Sequence, residues 1–278
     1  MSISKSATAP AAPSRREDKG PRKDGLAHAV ALVRTAIYSV LATAYFICVG
    51  ILSAWIFVLP AEKMRAALKI WVLGDMWLLR VIVGQKVEIL GKEHIPTGPA
   101  LVAAKHQSAW ETQALLPVLP KGVIILKQEL LKIPLYGWYA RYFGMIPVNR
   151  ASGPQALKQL AIDAKAALDR GAQIAIFPEG TRRLPGAPPD YKIGAVFLYE
   201  KLKVEMVPVA LNSGLFWPRR RFVKYPGTIT MSFLPPIEPG LKREDARARL
   251  EAAIETETAR LVARAQAPSS ARNRSART

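Results

Sequence analysis

Pro99-Ala100-Leu101-Val102-Ala103-Ala104-Lys105-His106-Gln107-Ser108-Ala109-Trp110-Glu111 decides the reading of this chain. Its unbroken apolar start has the character of a strand covered on both faces. The run stops at Lys105, His106 stands in the turn, and Glu111 follows in what reads as the first turn of a helix. A strand passing through a polar turn into a helix sets both side chains at the carboxyl end of a sheet, where open α/β sheets keep their sites. A histidine whose second ring nitrogen is held by a carboxylate has a fixed tautomer and raised basicity, as a general base needs. The chain has three histidines. His28 falls in a polar leader and His94 in a turn, which leaves His106. The same spacing also describes a helix cap, with Ser108 at N-cap and Glu111 at N3 in a capping box. The two readings are compatible.

Working outward, short β-like runs alternate with helical ones from Gln85 onward. Lys86–Leu90, Leu101–Ala104, Gly122–Leu126, Ile174–Phe177, Val204–Ala210 and Thr228–Phe233 read as strands, and Ala156–Leu168 and Lys242–Arg264 as helices. This alternation predicts an α/β domain over 85–265, with a mixed, largely parallel sheet and flanking helices. Pro208 marks its strand as an edge or a bulge. Residues 1–27 and 266–278 read as disordered, basic leader and tail.

Between them, residues 28–84 read as a membrane-associated helical hairpin. No charge interrupts Thr35 to Ala61, longer than the roughly 20 apolar residues a bilayer crossing needs. A signal peptide fits less well, because the charged leader is long and Ala-Glu-Lys after Pro60 is a poor cleavage site. Ile70–Val83 is also apolar but carries Asp75 and Arg80, and reads as an interfacial helix with Trp71 and Trp77 near the headgroups. Basic residues flank the first stretch on both sides, so a dip into one leaflet and a double crossing both keep the rest cytoplasmic.

With 40 Lys and Arg in 278 residues and a net charge of +19, the chain suits nucleic acid, or an anionic membrane and anionic substrates. No helix-turn-helix, zinc-finger or RNA-recognition pattern is present, so no nucleic acid is expected. The one cysteine, Cys48, allows neither an intrachain disulfide nor a four-cysteine metal site, and a reducing compartment is the default. Cys48 itself reads as a small lipid-facing or packed side chain.

Three further blocks end apolar runs in polar residues. Phe177-Pro178-Glu179-Gly180-Thr181-Arg182 follows a strand: Pro178 ends it, Gly180 permits a tight turn, and Arg182 and Arg183 suit a phosphate. Gly144-Met145-Ile146-Pro147-Val148-Asn149-Arg150 is a short strand ending in arginine, and Val207-Pro208-Val209 opens another.

In this order and at these intervals, the four blocks resemble the glycerolipid acyltransferase family, which is marked by H-x4-D, a G-x-I-F/P-I/V-x-R strand, F-P-E-G-T-R/S and V-P-V/I. The resemblance covers roughly 85–235. It implies acyl transfer from a thioester, of acyl carrier protein or coenzyme A, to the sn-2 hydroxyl of 1-acylglycerol-3-phosphate, giving phosphatidic acid at a bacterial inner membrane. His106 would be the general base and Glu111 its orienting carboxylate. Arg150, Glu179, Gly180, Thr181 and Arg182 match positions associated with the acceptor's glycerol phosphate. No metal or resident cofactor is implied. Glu111 departs from the family aspartate by one methylene. Two other readings stand beside this one: acylation of another lyso-lipid, such as lyso-ornithine lipid, and a non-catalytic, membrane-anchored protein binding anionic lipid or nucleic acid.

Overall fold

The computed structural model describes residues 25–149 and 153–267. Expectations for most of the leader, for Arg150 and for most of the tail therefore lie outside the described residues. Two helices come first, α1 (Gly25–Leu52) and α2 (Ala61–Leu78). The α/β body then runs β1 (Gln85–Leu90), β2 (Ala100–Ala104), α3 (Trp110–Val118), β3 (Gly122–Lys127), α4 (Tyr136–Tyr142) and β4 (Ile146–Val148). It continues through α5 (Gly153–Asp169), β5 (Gln173–Ile176), α6 (Gly194–Leu202), β6 (Met206–Leu211), β7 (Gly227–Phe233) and α7 (Arg243–Gln266).

The seven strands form one sheet in the order β1-β7-β6-β2-β5-β3-β4. Every neighbouring pair is parallel except β6–β7, so the expected mixed, largely parallel sheet is present. The unbroken apolar run of β2 follows from its place at the centre. Leu101 and Ala103 face a core shared with α5, α6 and α7, while Val102 and Ala104 face a second core shared with α3. Parallel strands buried on both faces lose the apolar–polar alternation of a half-exposed strand.

After β2 the chain crosses to α3 on one face, and after its neighbour β5 it goes on to α6 on the other. The carboxyl ends of β2 and β5 thus flank a topological switch point, the crevice where open α/β sheets bind ligands. His106 and the Phe177–Arg182 block both emerge there.

Four expectations are corrected. Pro208 lies in β6 inside the sheet, not at an edge. Its missing N–H falls where the β6–β7 register slips: Val209 pairs with Phe233, but Met206 with Ile237, one residue out of step. The bulge half of the expectation therefore holds, with Leu234 N–H donating to Pro208 O at 3.0 Å. Helix α1 begins at Gly25, inside the expected leader, and α7 runs to Gln266, one residue into the expected tail. The second apolar stretch is part of a longer helix that begins at Ala61. Asp75 and Trp71 both have protein partners: Tyr38 Oη donates to Asp75 Oδ1 at 2.9 Å and Gln113 Nε2 to Oδ2 at 2.8 Å. Trp71 packs edge-on against Tyr139. Trp77 is exposed.

Helix α1 buries a narrow stripe, Ala31, Thr35 and Tyr38, at spacings that share one helical face. Val33, Ile37, Val40 and Ile51 point outward. Among the described residues it is the one helix long and apolar enough to cross a membrane. Cys48 on it is exposed.

Candidate active site

His106 Nδ1 stands 2.9 Å from Glu111 Oε1. The same oxygen accepts the N–H groups of Gln107 at 2.6 Å and Ser108 at 2.7 Å. Oε2 accepts the hydroxyls of Ser108 and Ser213, each at 2.9 Å. Burial pushes the Glu111 carboxyl up, but the bond from His106, its charge and the Ser108 N–H outweigh that and hold it below the usual range. The carboxylate is therefore an anion with acceptors only, and Nδ1 must carry the proton in the bond between them. Nε2 is left for the cavity that His106 lines. Phe177 stacks on the imidazole at 4.2 Å between centroids and fixes its plane.

Ser108 braces the same turn. Ser108 Oγ accepts the Trp110 N–H at 2.9 Å while Glu111 reaches back to the Ser108 N–H. The cap expectation is corrected by one residue: the N-cap position falls on Ala109, which makes no side-chain cap bond, and Ser108, one position earlier, has its hydroxyl engaged by Glu111 and Trp110.

Sequence reasoning missed the support beneath the turn. Lys105, at 2 % side-chain exposure, places Nζ 2.7 Å from both Glu179 Oε1 and Glu255 Oε1. Glu179 Oε2 accepts the His106 N–H at 3.0 Å, and Tyr191 Oη donates to Glu255 Oε1 at 2.9 Å. Lys105 was a legible signal, a charge closing a buried strand. Glu255 was not, since α7 carries many similar charges. Ser213 and its neighbour Gly214, whose N–H donates to Gln107 Oε1 at 3.0 Å, come from the link after β6.

The FPEGTR block splits in two. Gly180, at φ 64°, closes a turn through its N–H to Phe177 O at 2.9 Å, with Pro178 at the position where its fixed φ suits a turn. Thr181 and Arg182 line the cavity with His106. Glu179 borders the same cavity, but its side chain is buried and its oxygens are turned to Lys105 and the His106 N–H. Burial pushes its carboxyl up, against the pull of Lys105. So engaged, Glu179 holds the turn that carries His106.

The cavity measures about 1030 Å³, at the upper end for small-molecule sites. The lining divides by chemistry: one arm is made by apolar side chains of α1, α2, α4 and β3, among them Ala42, Val49, Leu68, Ala140 and Ile124. The other carries His106, Thr181, Arg182, Lys192, Arg219 and Arg220. Among the described residues, no group of three or more His, Cys, Asp or Glu side chains is placed to hold a metal ion.

The Acyltransferase family profile matches residues 86–212. A 1-acyl-sn-glycerol-3-phosphate acyltransferase of Pseudomonas aeruginosa is 36% identical over 208 residues, 74% of this chain and 81% of its own length. The chain belongs to the acyltransferase family. The alpha form of the human 1-acyl-sn-glycerol-3-phosphate acyltransferase is 30% identical over 61% of this chain and 62% of its own. The solved 1-acyl-sn-glycerophosphate (LPA) acyltransferase of Thermotoga maritima superposes with a TM-score of 0.71 at 25% identity, covering 83% of this acyltransferase and 95% of the solved chain.

Proposed function

We propose that this acyltransferase moves an acyl group from a thioester, carried by coenzyme A or acyl carrier protein, to the sn-2 hydroxyl of 1-acylglycerol-3-phosphate. The observation that carries the reading is the His106–Glu111 pair at 2.9 Å in the wall of a cavity that is apolar in one arm and basic in the other. An acyl chain suits the first arm and a phosphate the second.

In this reading His106 Nε2 takes the proton of the acceptor hydroxyl as its oxygen attacks the thioester carbonyl. Glu111 stabilises the imidazolium that forms. The tetrahedral intermediate then expels the carrier thiolate, which His106 reprotonates, leaving the new ester. Thr181 and Arg182 face the acceptor's polar end, and Arg150, outside the described residues, is assigned to the acceptor by its match to the family block alone. The chemistry calls on no metal and no covalent enzyme intermediate. The apolar outer face of α1 supports a membrane-held site, with the α/β body on the cytoplasmic side of a bacterial inner membrane. An acceptor that resides in the bilayer then reaches the cavity in two dimensions.

The test supplies detergent-purified protein with 1-acylglycerol-3-phosphate and, in turn, each thioester. Phosphatidic acid formed by the wild type and lost in His106→Ala supports the reading. No product above the His106→Ala control overturns it.

A further inference from the structure

Five cations surround the polar arm of the cavity or adjoin it: Arg182, Arg183, Lys192, Arg219 and Arg220. Asp190 neutralises two of them, lying 2.6 Å from Lys192 and 3.6 Å from Arg183. Among the described residues, no carboxylate pairs with Arg182, Arg219 or Arg220. Arg219 lies close enough to feel the charges of the other two. Partial burial and the charges of Arg220, Arg182 and Arg183 hold the Arg219 guanidinium below its usual range. Guanidinium groups gathered without a counter-ion repel each other, a cost that an incoming anion removes.

Arg219 and Arg220 lie outside all four sequence blocks, on the link between β6 and β7, and that link is built to hold them. It starts at Ser213 and Gly214, which bond Glu111 and Gln107. The Tyr225 N–H closes a loop on Phe216 O at 2.7 Å, and Gln85 Nε2 donates to both carbonyls, at 3.0 and 3.2 Å. Lys224 is buried with its ammonium 4.5 Å from the Trp217 ring centroid and 5.1 Å from that of Tyr38, and its N–H donates to Thr35 Oγ1 at 2.9 Å. At the tip Arg220 takes φ 57°, a left-handed conformation that a non-glycine residue keeps only when its surroundings enforce it. The tip arginines are thus presented by a rigid loop rather than by a loose basic surface.

We infer that Arg219 and Arg220 complete, with Arg182, a guanidinium clamp that selects a lyso-lipid whose headgroup is a phosphomonoester over one with a phosphodiester headgroup. This inference rests on the acyltransferase reading of the cavity. A phosphomonoester approaches two negative charges at neutral pH, with its second ionisation near pH ~6, and offers three terminal oxygens to bidentate donors. A phosphodiester carries one charge and two free oxygens. One arginine balances the diester; the monoester dianion needs more.

The experiment measures initial rates in detergent micelles with 1-acylglycerol-3-phosphate, lysophosphatidylethanolamine and lysophosphatidylglycerol, for wild type, Arg219→Gln, Arg220→Gln and the double variant. Circular dichroism confirms the fold of each. The expected result is a wild type that prefers the phosphomonoester, and a rise in its KM of about tenfold per arginine removed. The KM for the thioester stays unchanged, and discrimination against the two diesters collapses. Lowering the pH through ~6 should erode the wild-type preference as the monoester loses its second charge, and should leave the double variant's ratio flat. Three outcomes overturn the clamp: an unchanged acceptor KM, a rise confined to the thioester KM, or a wild type indifferent to headgroup. A wild type that acylates none of the three overturns the acyltransferase reading itself, and the clamp with it.

Discussion

Glu111 binds His106 with one carboxylate oxygen and Ser213 with the other, at 2.9 Å each. The turn that carries His106 is thereby tied to the link after β6, and the extra methylene of Glu111 gains a role. A glutamate reaches from the helix start to both partners at once.

Removing that reach should cost turnover more than binding. His106→Ala is expected to lower kcat by about 10²–10⁴-fold, the usual contribution of a general base. Glu111→Gln keeps the shape but not the charge and should fall in the same range. Glu111→Asp retracts the carboxylate and is expected to cost up to about 10²-fold, with little change in acceptor KM. Steady-state kinetics with both substrates varied would check all three.

The Glu111 carboxyl also makes stability depend on pH. Its native pKa lies below the ordinary 4.5, so the unfolded chain binds its proton more readily than the folded one. Its contribution is full above that value and is lost as pH falls through the depressed native one. Urea denaturation should therefore show a wild-type advantage over Glu111→Gln that is constant near neutrality and shrinks below pH 4.5.

Lys105 makes a prediction about the support beneath the site. Lys105→Met leaves Glu179 buried without its cation and should destabilise the protein by about 3–5 kcal/mol, as broken buried pairs do. Lys105→Met combined with Glu179→Gln should recover part of that loss, because the fully buried carboxylate is gone and Glu255, the other partner of Lys105, is partly exposed to solvent. A thermal or urea melt of the four-variant cycle reads the difference, and a double variant no better than Lys105→Met would count against a paired role.

Narrowing the apolar arm should act on chain length. Ala42 on α1 lines that arm, and Ala42→Phe fills space there without touching His106 or the arginines. Rates with long-chain thioesters or acceptors should drop relative to short-chain ones. A uniform loss across chain lengths would speak against the arm as the acyl site.

Legibility differed from residue to residue. His106 and the Phe177–Arg182 block could be read because each closes an apolar strand with polar groups, a local contrast that sequence displays directly. Glu179 was legible as a functional position but not in its role, since only burial reveals that its oxygens are taken. Pro208 misled in part, because a missing N–H is tolerated inside a sheet when a neighbouring bulge absorbs it. Lys105 was visible as an oddity, yet its partner Glu255 lies 150 residues on, one acid among many on a charged helix.

The sequence by itself determined the strand–turn–helix around His106, the α/β alternation and the apolar helix α1, because each depends on neighbours along the chain and on a period of burial. Tertiary structure decided which groups meet. It brought Ser213 to Glu111, Glu255 to Lys105, and Arg219 and Arg220 to the cavity of His106 and Arg182. Those meetings depend on strand order and on the crossing at β2 and β5, where long-range packing of apolar faces sets the distances and no local pattern records them.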